Sequence, residues 1–196
     1  MSLFDAAIAA FDAENALDPN HVPLGGELVA KELAYARRMS LMLVLTYPDA
    51  SEPLRLAARC QHIRRWDIPR LTYPQGRAGY LAWRNRLKQY HAEVAARIMH
   101  AAGYDAAIVD RVGQLLRKER LKQDADAQRL EDIACLVFLE DHLADFAPKH
   151  DEAKVIGIIA KTWPKMSPEG QRAAMALDLA PEGRRLVEIA LTSKGN

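Results

Sequence analysis

Apolar residues recur at helical spacing along nearly the whole chain, and no stretch alternates with the two-residue period of a strand. Leu3 to Glu14 reads as a first amphipathic helix, stopped by the turn signal Asp18-Pro19-Asn20. The Gly25-Gly26 pair then releases a second helix, from Glu27 to about Leu45. Ser51 with Glu52 and Pro53 reads as the cap and first turn of a third, reaching about Trp66. An irregular stretch, Asp67 to Gly79, leads into a long helix from about Tyr80 to Ala102, closed by Gly103 in the C′ position. Asp105 caps the next helix, which fades near Arg117 to Lys122. Asp124 or Asp126 starts another, to about Phe146, which is apolar on most sides and therefore central. Three shorter helices follow, at about Asp151–Thr162, Ser167–Leu177 and Glu182–Leu191. The pattern predicts an all-α bundle of about eight or nine helices in one domain, residues 1–196. Its core lies at about 27–146, with C-terminal helices at about 151–191 packed on it.

Composition narrows the class. With 49% hydrophobic and 27% charged residues in 196, the chain can bury a core and is neither disordered nor fibrous. A formal net charge of +1 gives no global attraction to nucleic acid or membrane, so any such affinity must be local. The two cysteines, Cys60 and Cys135, sit in helical patterns and read as reduced, buried thiols. The first residues carry acids and no basic leader, and no apolar run approaches the roughly 20 residues of a membrane span. Cytoplasmic location without a membrane partner is the expectation.

Candidate chemistry lies in polar residues on faces that ought to be buried. His91 falls on the line Leu87–His91–Val94–Ile98, His62 shares one with Leu54 and Ala58, and Glu32 one with Ala36, Met39 and Leu43. Glu131 and Asp132 stand side by side in the most apolar helix. A buried carboxylate is costly unless paired, hydrogen-bonded or bound to a cation, and imidazole with carboxylate suits zinc, manganese or iron. The plainer alternative is that each is a satisfied core residue. Arg64, Arg65, Arg70, Arg77, Arg84, Arg86 and Lys88 fall in one segment, interleaved with Trp66, Tyr73, Tyr80 and Trp83. Guanidinium forks match phosphate and carboxylate, so this segment reads as an anion pocket. A second basic run, Arg117 to Lys122, reads as a solvated face. No Gly-rich phosphate loop, Cys-x-x-Cys, His-Glu-x-x-His or Gly-x-Ser-x-Gly is present. Cys60 and His62, two apart on a helix, point to different sides and do not make a nucleophile–base pair.

The runs Leu56 to Ile63, His91-Ala92-Glu93 and Leu130-Glu131-Asp132-Ile133 resemble the helical HD-domain superfamily of metal-dependent phosphohydrolases over about residues 27–146. Under that resemblance Gln61 falls on the histidine of the His-Asp pair, His62 on its aspartate and Asp132 on the later aspartate. Glu32 lies near the first histidine, and His91 resembles the extra histidine of two-metal members. The pair here reads Gln-His, and the first histidine is missing. A more specific resemblance covers nearly the whole chain: QHIRRWDIPR, YPQGRAGYLAWR and LEDIACLVFLEDHLADF are similar to an uncharacterised bacterial and fungal family, domain of unknown function 4202.

The implied function is a metal-dependent hydrolase of a small anionic substrate, a phosphate ester or nucleotide, with an iron oxygenase as a variant. A divalent metal (manganese, iron or zinc) would be held by His62, His91, Asp132 and Glu32 and would supply hydroxide near neutral pH. Glu131 and Arg64 would be catalytic, and Arg65, Arg70, Arg77, Arg84 and Lys88 would bind substrate. The alternative is a non-catalytic protein that holds RNA or an anionic metabolite through residues 64–88. A third reading is a helical interaction module whose buried polar groups satisfy one another.

Overall fold

The computed structural model describes residues 1–192, so the last four residues of the expected domain lie outside it. Ten α-helices and one two-stranded hairpin follow in chain order: α1 (Leu3–Asn15), β1 (His21–Leu24), β2 (Glu27–Ala30), α2 (Lys31–Thr46), α3 (Glu52–Cys60), α4 (Gly76–Ala101), α5 (Ala106–Arg117), α6 (Ala125–Val137), α7 (Leu143–Phe146), α8 (Glu152–Thr162), α9 (Pro168–Ala176) and α10 (Pro181–Thr192). The all-α expectation holds. Predicted caps act as caps: the side chains of Ser51, Asp105, Asp124 and Ser167 accept backbone N–H groups of the turn that follows each. Gly103, at φ +97°, closes α4 just beyond its end.

The hairpin corrects the reading that no strand is present. Gly25 and Gly26 take φ of +60° and +86°, and Leu24 pairs with Glu27 across them. A two-residue hairpin turn needs left-handed φ at both positions, which glycine supplies without steric cost. The arms are four residues long, too short for alternation to show, and α2 consequently starts at Lys31 rather than Glu27.

Two other departures shape the interior. The third helix stops at Cys60, not Trp66. Residues 61–64 turn, Arg64 takes a left-handed φ of +52°, and a 3₁₀ turn spans Arg65–Asp67. The indole N–H of Trp83 donates to the Ile68 carbonyl at 2.8 Å, tethering this turn to α4. The helix expected to run unbroken to Phe146 contains a π-helical turn, Phe138–His142, between α6 and α7. Such a turn inserts residues into the helical register and re-aims the side chains beyond it.

As its apolar pattern predicts, α6 is central: Leu130, Ile133, Leu136 and Val137 are at most 1% exposed, and it packs against α2, α3, α5 and α9. One cluster of buried apolar side chains runs from Ala7 and Phe11 of α1 to Val187 and Ala190 of α10. Cys60 and Cys135 are free and buried. Among the described residues no helix is long and apolar enough to cross a membrane.

Candidate functional site

A cleft of about 430 Å³ opens between α2, the turn after α3, α4, α6 and the 3₁₀ turn after α8. Glu32 and Tyr35 come from α2, His62 and Arg65 from the turn, and Arg84 from α4. Lys118 caps the C-terminus of α5 at a left-handed φ of +58°, a conformation that costs a non-glycine residue about 1 kcal/mol. It reaches Glu131 of α6 in an ion pair. Phe138 and His142, both from the π turn, line one wall, and Lys165 lies at the rim.

On the cleft floor, His62 Nδ1 lies 3.4 Å from Glu32 Oε2. Tyr35 stacks on the His62 ring at 4.2 Å between centroids, with the planes 9° apart. Burial pushes the Glu32 carboxyl up to about 7, against the opposing charge of Arg65. Burial, reinforced by the positive charges of Arg65 and Arg84, holds His62 well below the usual imidazole range. The imidazole is therefore neutral at physiological pH, beside a carboxyl that titrates there.

His91 lies behind His62, with ring centroids 6.0 Å apart. Its Nδ1 is 2.7 Å from the Ile63 carbonyl oxygen. A carbonyl only accepts, so Nδ1 carries the proton and Nε2 presents a lone pair. Nε2 is buried with no hydrogen-bond partner. Burial, then the neighbouring His62, push the His91 pKa down to about 3, so this ring also stays neutral. Together with Arg65, Arg84, Lys88 and Lys118 it borders a void of about 30 Å³, room for a single water.

Arg65 and Arg84 border the cleft, Lys88 adjoins it, and none has a carboxylate ion-pair partner among the described residues. Arg65 instead lies over the Trp83 ring, at 4.8 Å from its centroid. Burial, together with the charges of Lys118 and Arg84, lowers the Lys88 ammonium below the usual lysine range. Glu131 is the exception that proves costly burial can be overcome: burial raises its carboxyl, but Lys118 outweighs it and leaves it below the ordinary value.

The structure brings together Glu32, His62, His91, Glu131, Arg65, Arg84 and Lys88 of the residues singled out in the sequence. It does not bring Asp132, Arg64, Arg70 or Arg77. Asp132 is fully buried and points toward α9, where its two oxygens accept from Tyr47 Oη (2.6 Å), Ser167 Oγ (2.6 Å), Ser167 N (2.8 Å) and Gln128 Nε2 (2.9 Å). Arg64 turns outward to Glu14 and Asp67. Arg70 folds onto the carbonyls of Tyr73 and Pro74, and Arg77 is exposed in the first turn of α4. Lys118 and Lys165 also line the cleft, and the sequence pattern does not mark either as a site residue. Lys118 lay in a run read as a solvated face, and Lys165 lies in sequence with no chemical signal.

The expected metal centre does not fit this arrangement. Asp132 already accepts four hydrogen bonds on the side of α9 and Glu131 is engaged by Lys118, so neither carboxylate joins the two histidines. Among the described residues, no three His, Cys, Asp or Glu side chains are grouped closely enough to hold a metal ion.

No curated protein and no solved structure is detectably similar to the chain. The comparisons lend no support to the HD-domain resemblance. A family model does match, and it matches residues 5–187: the chain belongs to the family described as Domain of unknown function (DUF4202).

Proposed function

We propose that the cleft binds a small anionic metabolite carrying a phosphate group. The observation that carries this reading is the convergence of Arg65 and Arg84 on the cleft, with Lys88 beside them, all partly buried and without a carboxylate ion pair among the described residues, in a protein of net charge +1. Partly buried cations are costly unless an opposite charge accompanies them, and a bound anion supplies it. Charge-assisted bonds from guanidinium and ammonium to phosphate are strong and directional. A small ligand is favoured over RNA because these charges line a cleft within the size range of metabolite pockets. Arg70 and Arg77, which would extend a nucleic-acid track along residues 64–88, point elsewhere.

One observation favours turnover of the bound anion rather than binding alone. The neutral His62, 3.4 Å from a carboxyl with a pKa of about 7, sits within the ring of cations. Such a pair can accept a proton from an attacking water and return it to a leaving group, as general acid–base catalysis requires. Hydrolysis through a manganese, iron or zinc ion would need His62, His91, Glu32 and Asp132 on one centre. That set is not assembled, and no step is assigned to a metal.

Isothermal titration with inorganic phosphate, a panel of phosphate esters and single-stranded RNA tests the reading. Phosphate-bearing small molecules should bind, and Arg84→Ala should weaken them roughly ten- to hundredfold. His62→Gln should retain binding and lose any phosphate release. Binding of RNA alone, or affinities untouched by Arg84→Ala, would overturn it.

A further inference from the structure

We propose that the ligand is an organic oligophosphate, with two or more linked phosphates and a ring, lying across two adjoining pockets with Arg84 and Lys118 at the junction. This rests on the anion reading of the cleft and specifies its substrate class. Beside the cleft lies a second depression of about 680 Å³, and the two share Arg84, Lys118, Glu131 and Lys165. The second adds Lys88 and Lys122. Its charged groups are thus five cations, Arg84, Lys88, Lys118, Lys122 and Lys165, against the single carboxylate Glu131.

Only Lys118 forms an ion pair with that carboxylate, which leaves four cations lining the depression without an ion pair among the described residues. A phosphate monoester carries about 1.5 to 2 negative charges at neutral pH, so one group cannot balance four cations and two or three linked groups can. The crowding also registers in Lys88, whose ammonium is held below the ordinary lysine range by burial and by Lys118 and Arg84.

The two pockets differ in lining, and the difference assigns the ends of the ligand. The cleft adds the aromatic rings of Tyr35, Tyr80 and Phe138, whereas the apolar lining of the second depression is Leu121, Pro164 and Met166. A ring is therefore placed in the cleft and the phosphate chain in the lysine-lined depression.

The test is a titration series with inorganic phosphate, pyrophosphate, tripolyphosphate and ATP as probes. Pyrophosphate should bind at least tenfold more tightly than phosphate, and ATP more tightly than tripolyphosphate. The variant Lys122→Ala, at a residue that lines only the second depression, should weaken pyrophosphate and ATP about tenfold while leaving phosphate within about twofold. Tyr80→Ala, at an exposed position, should weaken ATP and not tripolyphosphate. Equal affinities for phosphate and pyrophosphate, with a silent Lys122→Ala, would overturn the two-pocket ligand and leave the anion reading standing. Failure of every probe to bind would overturn both. A single-stranded RNA that outcompetes all four probes would replace the small ligand by a polymer.

Discussion

Replacing Glu32 by glutamine removes one buried titrating group and changes little else. Glu32 is 8% exposed. Its backbone N–H donates to Asp18 Oδ2 at 3.0 Å, a bond the variant keeps. The groups acting on its carboxyl are Arg65, Asp18, Lys31 and His91, with His62 at 3.4 Å, but burial dominates and raises it from 4.5 to about 7. A raised carboxyl pKa means that the folded protein keeps a proton which the unfolded chain releases. Stability from Glu32 is therefore full below about pH 4.5 and declines as pH rises through 7. At about 1.4 kcal/mol per pH unit, the loss reaches at most roughly 3 kcal/mol on the alkaline side. His91 works in the opposite sense: its folded pKa of about 3 lies below the ordinary 6.5, so its contribution is present above 6.5 and lost as pH falls. Between about pH 4.5 and 6.5 the two slopes cancel, so together they give a flat maximum on the acid side of neutrality. Subtracting the variant's curve from the wild type's removes His91 and every other shared group. Urea unfolding followed by circular dichroism should show Glu32→Gln gaining on the wild type by roughly 3 kcal/mol between about pH 4 and pH 8. Parallel curves would refute the assignment of a buried, protonatable carboxyl.

Two further substitutions test the supports of the cleft. Asp132→Asn turns an amide N–H₂ toward donors that Asp132 now satisfies, and should cost about 2–4 kcal/mol in urea unfolding while leaving anion affinity unchanged. A folded Asp132→Asn that loses binding instead would return Asp132 to the site. Gly79→Ala places a methyl group into the Pro74 carbonyl oxygen at the start of α4, so Tm should fall and the anion affinity that depends on Arg84 should fall with it. An unchanged Tm would show that the loop before α4 yields without strain.

The fold was legible because its signals are local. Capping residues, helical spacing and the apolar wrap of α6 each act within a few residues, and they located nine of the ten helices, the short α7 being merged with α6. The hairpin escaped because four-residue arms give no usable period, although Gly25-Gly26 carried the turn chemistry in plain view. The halt of α3 at Cys60 escaped because the next residues stay compatible with a helix. Only the left-handed φ of Arg64 shows where the chain turns away. That one residue separates two arginines adjacent in sequence: Arg65 enters the cleft, and Arg64 goes to Glu14 and Asp67.

The acid pair on α6 shows why the site itself could be read only in part. Consecutive helical residues point about 100° apart, so Glu131 and Asp132 cannot serve one centre simply because they are neighbours. Glu131 meets Lys118 at the cleft, and Asp132 meets Ser167 at the N-terminus of α9. Both buried carboxylates are thereby satisfied, one by a cation and one by hydrogen bonds, which are two of the three ways that burial permits. The third, a metal, was the expectation because sequence spacing cannot show which partner arrives from elsewhere in the chain. Lys118 lies 13 residues from Glu131 and Ser167 lies 35 residues from Asp132. What remains without an ion pair around the cleft is positive charge: among the described residues Arg65, Arg84 and Lys88 have no carboxylate partner. Partly buried cations without ion pairs in a concave site specify the sign of the partner that would stabilise them, and that partner is an anion.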